Sequence, residues 1–298
     1  MRRLSILIYH RVLLQRDPLL PGVPDQRQFA RHMSLLKRCF RVLPLSKAVD
    51  MLKRDALPPR AACITFDDGY ADNVEVALPV LRSLGLSACF FIASGYLDGG
   101  SMWNDEVIEA VRAAQGPLLD LAHLDFGIHS IRTCQERLAA IDRLLARLKY
   151  LPFAQRQSLT ARMAPRLQPA LMMTGAQLIR LHRSGMEIGA HTVSHPILRM
   201  QEEQAAMANI AGSKAALEQI LGAPVTLFAY PNGKAGIDFD QRHVDMVRAC
   251  GFAAALTTFP RAASADMDIY QLPRFTPWEA DRPRFLLRLL ENRYRPRT

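Results

Sequence analysis

Short apolar runs alternate along the chain with stretches whose apolar residues recur every three or four positions, the mark of strands interleaved with amphipathic helices. Ile6-Leu7-Ile8 opens the series as a strand ending at Tyr9-His10, and Pro18, Pro21 and Pro24 then hold an irregular loop. Phe29, Met33 and Leu36 share one face of a helix running to Cys39, and a brief Val42-Leu43 strand leads to a second helix, Ser46 to Lys53. Ala61 to Ile64 is the next strand, Asn73 to Leu84 a helix stopped by Gly85, and Ser87 to Ile92 a strand that stops at Gly95. Between residues 101 and 171 the rhythm breaks into helices, notably Cys134 to Leu151 and Phe153 to Met163, with little strand signal. It resumes with a helix at Gly175 to Ser184, a strand at Met186 to Ala190 and a helix at Gln201 to Leu221. Strands at Thr226 to Ala229 and Ala253 to Leu256 flank a helix at Phe239 to Cys250, and a last strand-like piece covers Tyr270 to Phe275. This alternation predicts an α/β domain of parallel strands with helices outside, carrying a mostly helical insertion at 101–171 and a basic tail at 279–298. In that architecture functional groups gather at the C-terminal strand ends.

Composition narrows the class further. Hydrophobic residues make up 49% of the 298 positions and charged residues 22%, which excludes a disordered chain and suits one large barrel domain. The net charge of +10, from 38 Lys and Arg against 28 Asp and Glu, predicts a surface that attracts anions. Basic residues are dispersed except toward the tail (Arg282, Arg284, Arg288, Arg293, Arg295, Arg297), and no nucleic-acid motif accompanies them, so no nucleic acid partner is expected. The tail suits peripheral contact with an anionic membrane. Five cysteines, an odd number without a Cys-x-x-Cys pair, read as reduced thiols, and the opening apolar run is too short for a signal peptide. A cytoplasmic location is therefore expected.

The chemistry-bearing stretch is Thr65-Phe66-Asp67-Asp68-Gly69-Tyr70. Side chains alternate between the two faces of a strand, so the paired carboxylates leave its end in different directions and can hold different roles. A glycine behind them lets the chain turn sharply. His191 and His195 follow another strand at a spacing that, in a helical turn, puts both imidazoles on one side, suited to one metal ion. Two His and one Asp make an open site of the catalytic kind, and the second Asp is then placed to take a proton from water.

In this order, Thr65 to Tyr70, His191-Thr192-Val193-Ser194-His195-Pro196, Tyr230-Pro231-Asn232-Gly233 and Leu272-Pro273-Arg274 resemble the polysaccharide deacetylases, the NodB homology domain or carbohydrate esterase family 4. The resemblance covers roughly residues 4–100 and 172–277. It implies a distorted (β/α)7 barrel that removes an acetyl group from a sugar. Asp67 would be the general base, and Asp68, His191 and His195 would hold a divalent metal, commonly zinc, with cobalt, nickel or manganese as alternatives. The backbone N–H of Asn232 would face the developing oxyanion, and Tyr70, Tyr230 and Trp278 are candidate substrate contacts.

Two departures stand out. Ala229 occupies the position of the Arg that orients the base in this family, leaving Arg274 as candidate substitute. The family's C-terminal Leu-x-His, source of the general acid, is missing. Tyr9-His10 instead resembles the circularly permuted poly-N-acetylglucosamine deacetylase branch, in which an N-terminal strand supplies the acid, here His10. The activity so implied is metal-dependent deacetylation of an N-acetylated sugar, in a polymer or in a phosphate-bearing or lipid-linked precursor. A deformylase, an O-acyl esterase and a non-catalytic glycan binder are the alternatives, and the intact Asp67, which a binder does not need, favours catalysis.

Overall fold

The structure is a computed structural model that describes residues 2–163, 170–277, 279 and 281–294. The described chain divides into two compact units. The larger comprises residues 1–15, 22–98 and 172–298; the smaller comprises 16–21 and 99–171.

In the larger unit the order is β1 (Arg3–Tyr9), α1 (Gln26–Cys39), β2 (Arg41–Val42), α2 (Leu45–Lys53), β3 (Ala61–Phe66), a π-helical turn (Asn73–Ala77), α3 (Leu78–Ser83) and β4 (Cys89–Ile92). The smaller unit holds α4 (Trp103–Ala113), β5 (Leu118–Leu121), β6 (Gly127–Ser130), α5 (Cys134–Leu148) and α6 (Phe153–Met163). The larger unit continues with α7 (Gly175–Arg183), β7 (Glu187–Ala190), α8 (Glu203–Leu221), β8 (Leu227–Ala229), α9 (Gln241–Ala249), β9 (Ala254–Leu256), β10 (Ala263–Ser264) and α10 (Arg282–Tyr294).

Strands β1, β3, β4, β7, β8 and β9 pair in that order and are all parallel; β2 adds to β3, and β10 lies antiparallel on β1. Residues 272–275 carry the sheet round to its other edge. Leu272 bridges to Leu256 of β9, and Phe275 bridges to Leu7 of β1, where its N–H donates to Ile6 O at 3.0 Å. That segment is the seventh stave of a (β/α)7 barrel.

Alternation along the staves sorts the core into two layers. Ile6, Cys63, Cys89, Phe91, Leu227, Ala229, Ala254 and Leu256 form one cluster, with Leu45, Val49 and Leu52 of α2. Their neighbours Leu7, Ile64, Phe90, Ile92, Phe228 and Ala255 pack with the helices around the sheet. A narrow barrel leaves little interior volume, which accounts for the small residues there. A Cβ on Gly189 would meet the Phe91 ring at 2.4 Å. All six residues of β3 are buried, as a strand covered on both faces requires.

Several elements differ from the sequence expectation. The helix expected from Asn73 to Leu84 opens as a π turn, because Pro79 has no N–H to give; the Leu78 N–H bonds instead to Asn73 O, five residues back. In the smaller unit β5 and β6 form an antiparallel hairpin, too short and too interrupted to register as strand pattern. The basic tail contains α10, whose Phe285 and Leu289 are fully buried in the main core, while residues 295–298 lie outside the described residues. Among the described residues no helix is long and apolar enough to cross a membrane.

Candidate active site

Strand β3 ends directly at the paired acids. The Asp67 N–H donates to Tyr9 O at 2.9 Å, extending the β1–β3 ladder by one residue. Asp67 continues the side of the strand that carries Cys63 and Thr65. Below it lies Arg274, fully buried, whose Nη1 and Nη2 reach the two Asp67 oxygens at 2.7 and 2.8 Å. Nη1 also donates to Thr65 Oγ1 at 3.1 Å, and Nε to Thr257 O at 3.1 Å. A guanidinium fork gripping a carboxylate with both arms fixes its plane. Burial alone would raise the pKa of Asp67, but Arg274, helped by His191 and His10, brings it down to about 2.

Asp68 turns the other way. Its φ of 77° is left-handed, and the turn is completed by Gly69, whose φ is 95°. One oxygen of Asp68 lies 3.5 Å from His191 Nε2 and 3.4 Å from His195 Nε2. His191 Nδ1 sits 2.7 Å from Ala229 O, so Nδ1 carries the proton and Nε2 presents its lone pair. The His-x-x-x-His segment is a loop and not the helical turn its spacing suggests. Thr192 and His195 have φ of 66° and 50°, and Pro196 disfavours helix at the residue before it. The loop is pinned by Asn209 of α8, whose Oδ1 accepts from Ser194 N and Oγ at 3.1 and 2.9 Å. It is pinned also by Gly95, whose N–H donates to Val193 O at 2.8 Å. Sequence reasoning missed Asn209 because nothing marks one polar residue of a long helix as facing a loop before it.

These three side chains fit a divalent cation. The Asp68 Oδ1 is buried, and among the described residues no hydrogen-bond donor reaches it. Asp68, His191 and His195 offer ligand atoms within 4.8 Å of one another. Zinc–ligand lengths of about 2.0–2.2 Å at tetrahedral angles space the ligands about 3.4 Å apart, close to the separations found here. Without a cation, burial pushes the pKa of Asp68 up to about 7; His191 opposes the shift and Asp67 adds to it.

His10 follows β1, level with Asp67 across the parallel ladder. The atoms packed about it push its imidazole below the usual histidine range, with Asp67 opposing and Arg274 assisting, although the residue is exposed at the surface. Asn232 lies beyond β8 in a left-handed conformation, φ 59°, and Thr258 Oγ1 donates to its carbonyl at 2.7 Å. Among the described residues no acceptor takes the Asn232 N–H. A cavity of about 750 Å³ opens beside this loop, lined by Lys234, Ile237, Thr258, Phe259, Arg261 and Gln271, and Phe259 is 56% exposed.

The tyrosines expected at the substrate require correction. Tyr230 is fully buried, stacked on Phe239 at 3.8 Å, with its hydroxyl donating to Tyr270 O. Tyr70 is 2% exposed and has the Arg11 guanidinium 4.7 Å over its ring. Neither presents an open face to a sugar. Trp278 lies outside the described residues.

Comparison with known proteins adds three findings. The family model described as polysaccharide deacetylase matches residues 54–116 and 149–255. YxkH of Bacillus subtilis (strain 168), whose own name carries the words polysaccharide deacetylase, is 23% identical over 274 residues, 91% of this chain and 70% of that protein. Among solved structures, the deacetylase PplD of Streptococcus pyogenes, in complex with acetate, superposes with a TM-score of 0.68 at 18% identity, covering 97% of this chain and 98% of that one. IcaB from Ammonifex degensii gives 0.63 at 19% identity, covering 97% of both. At those identities the structural likeness shows a shared fold.

Proposed function

The chain belongs to the polysaccharide deacetylase family, hydrolases that act on amides, and from that membership and the geometry of the site we propose that it removes acetyl groups from N-acetylated sugars in a metal-dependent reaction. The observation that carries this reading is the division of labour between neighbouring acids. Asp68 Oδ1 lies within 3.5 Å of both His191 and His195, whereas Asp67, 3.8 Å from His191 Nε2, has both its oxygens gripped by Arg274.

A divalent cation, zinc by its common preference for this ligand set, would supply Lewis-acid polarisation of the acetyl carbonyl and acidification of water. Asp68, His191 Nε2 and His195 would hold it. Arg274 keeps Asp67 ionised, and a carboxylate has about four lone-pair sites, so Asp67 retains acceptor capacity to take a proton from the attacking water. The Asn232 N–H is free to donate to the developing oxyanion. His10 then protonates the departing sugar nitrogen, which does not leave as an amide anion. The cavity beside Asn232 would receive neighbouring sugars of a glycan, with Phe259 as a stacking surface.

The net charge of +10 favours, as a second reading of the substrate, a phosphate-bearing sugar linked to a nucleotide or lipid. The five free cysteines support placing the protein in a reducing compartment such as the cytoplasm.

The test is acetate release by chelated protein after zinc or cobalt is restored, from N-acetylglucosamine oligomers and from a nucleotide-linked N-acetyl sugar. Release is expected only with metal. Asp67→Asn is expected to retain the metal and to lose about 100- to 10,000-fold in rate, the usual range for a missing acid–base group. Undiminished turnover by this variant would refute the base assignment.

A further inference from the structure

The stretch just after Gly69 carries buried polar side chains that neither the metal ligands nor the proton transfers above use. Asn73 is fully buried, and its Nδ2 donates to the backbone carbonyl of His10 at 2.9 Å and to Asp72 Oδ1 at 3.1 Å. Asp72 accepts from Arg11 Nε at 2.7 Å and from the Val12 N–H at 3.2 Å. The Arg11 guanidinium in turn lies 4.7 Å over the Tyr70 ring. Residues 70, 72 and 73 thus grip residues 10, 11 and 12 one after another.

That grip has work to do, because strand pairing stops short of His10. The β1–β3 register ends at Tyr9 and Phe66, with the Asp67 N–H on Tyr9 O as its last rung. Beyond it, the direction in which His10 leaves β1 is set by side chains. The π turn Asn73–Ala77 begins at the residue that bonds His10, and such turns are rare and often found at functional sites.

We propose that Asn73, backed by Asp72 and Arg11, is the positioning residue for His10, holding the acid's backbone against the loop that carries Asp67. The inference deepens the reading above and rests on His10 as the general acid. Without the Asn73 amide, residues 10–12 shift, and a displacement of about 1 Å at a reacting group costs about 100-fold in rate. The loss falls on the proton delivered to the leaving group, and on no other step.

Leaving-group chemistry isolates that step. An amine must be protonated as it departs, whereas the phenolate of p-nitrophenyl acetate leaves without help. The zinc-loaded protein is assayed for kcat/KM on N-acetylglucosamine oligomers and on p-nitrophenyl acetate, as wild type, His10→Ala, Asn73→Ala, Asn73→Asp and the double variant His10→Ala/Asn73→Ala. Asn73→Asp preserves volume but removes the donor. Both single Asn73 variants are expected to lower the amide-to-ester ratio by about 30-fold or more, mostly in kcat, with zinc content kept. In the His10→Ala background, Asn73→Ala should move the ratio by less than about 3-fold, since residues acting through one another are not additive.

Parallel loss on both substrates would reduce Asn73 to a structural role and overturn the proposal. So would an undisturbed ratio in the Asn73 variants while His10→Ala collapses it. An undisturbed ratio in His10→Ala itself would instead remove the acid assignment, and this positioning role with it.

Discussion

Asp67 and Asp68 are adjacent and chemically identical, yet their environments drive their pKa values apart, to about 2 and about 7. Arg274 is the cause on one side, and burial, opposed by His191 and reinforced by the charge of Asp67, on the other. For Asp67 the folded pKa lies below its ordinary 3.8, so its contribution to stability is present above that value and is lost as pH falls through about 2. Removing Arg274 reverses this, because the buried carboxylate then lacks its partner. Arg274→Leu is expected to destabilise the fold by about 3–5 kcal/mol, as breaking a buried pair does. It should also move the acid limb of the pH–rate profile to higher pH, since Asp67 must be ionised to accept a proton. Thermal unfolding and a pH profile of the variant check both, and an acid limb at its original position would show that Asp67 does not set it. The pair of acids was legible as a motif in sequence. Arg274 was named there too, as a candidate to orient the base, but its hold on Asp67, 207 positions away, and the split in the two pKa values come only with closure of the sheet.

Between β7 and α8 the two histidines are presented by a loop, and the loop is built by close approach. Gly95 has its N–H on Val193 O at 2.8 Å, and a Cβ there would lie 2.7 Å from that same oxygen and 2.9 Å from Val193 Cγ1. No side chain fits without moving the segment between His191 and His195. Gly95→Ala is expected to weaken metal binding about 10- to 100-fold, the scale found when outer supports of metal ligands are removed. Competition of the apoprotein against a zinc indicator measures this, and wild-type affinity would show that the loop shifts freely. The His-x-x-x-His spacing pointed to a metal pair, but helical periodicity was the wrong reason. Left-handed residues at 192 and 195 do what a helical turn would have done, with the rings 4.9 Å apart.

At the scale of the molecule, the chain leaves the larger unit twice, briefly for residues 16–21 and then from Asp98 until it re-enters at Met172. The two ends are tied to each other: the Asp98 N–H donates to Met173 O at 3.2 Å and Asp98 Oδ1 accepts from the Gly175 N–H at 2.9 Å. The smaller unit has a core of its own, with Val107 and Val111 of α4 packed with Ile141 and Leu144 of α5. We therefore propose that 99–171 is an insertion dispensable for the barrel. Joining Asp98 to Met172 through a short glycine-containing turn is expected to leave a folded protein that still binds zinc, checked by circular dichroism and metal titration. Failure to fold would make the segment part of the barrel's own stability.

The sequence by itself determined the strand–helix rhythm, the parallel barrel class and the identity of the metal-binding and proton-transfer candidates. Periodicity and short motifs are local, so the rhythm, the paired acids and the paired histidines follow from residues within one or two turns of chain, while His10 as the acid is what the family resemblance implies. Tertiary structure alone decided what depends on residues distant in sequence. Residues 272–275 close the ring between β9 and β1, Arg274 meets Asp67 across it, and Asn73 reaches the backbone of His10. It also buried Tyr70 beneath Arg11 and stacked Tyr230 on Phe239, because what covers a ring beyond a strand end is settled by residues distant in sequence and not by the ring's own chemistry.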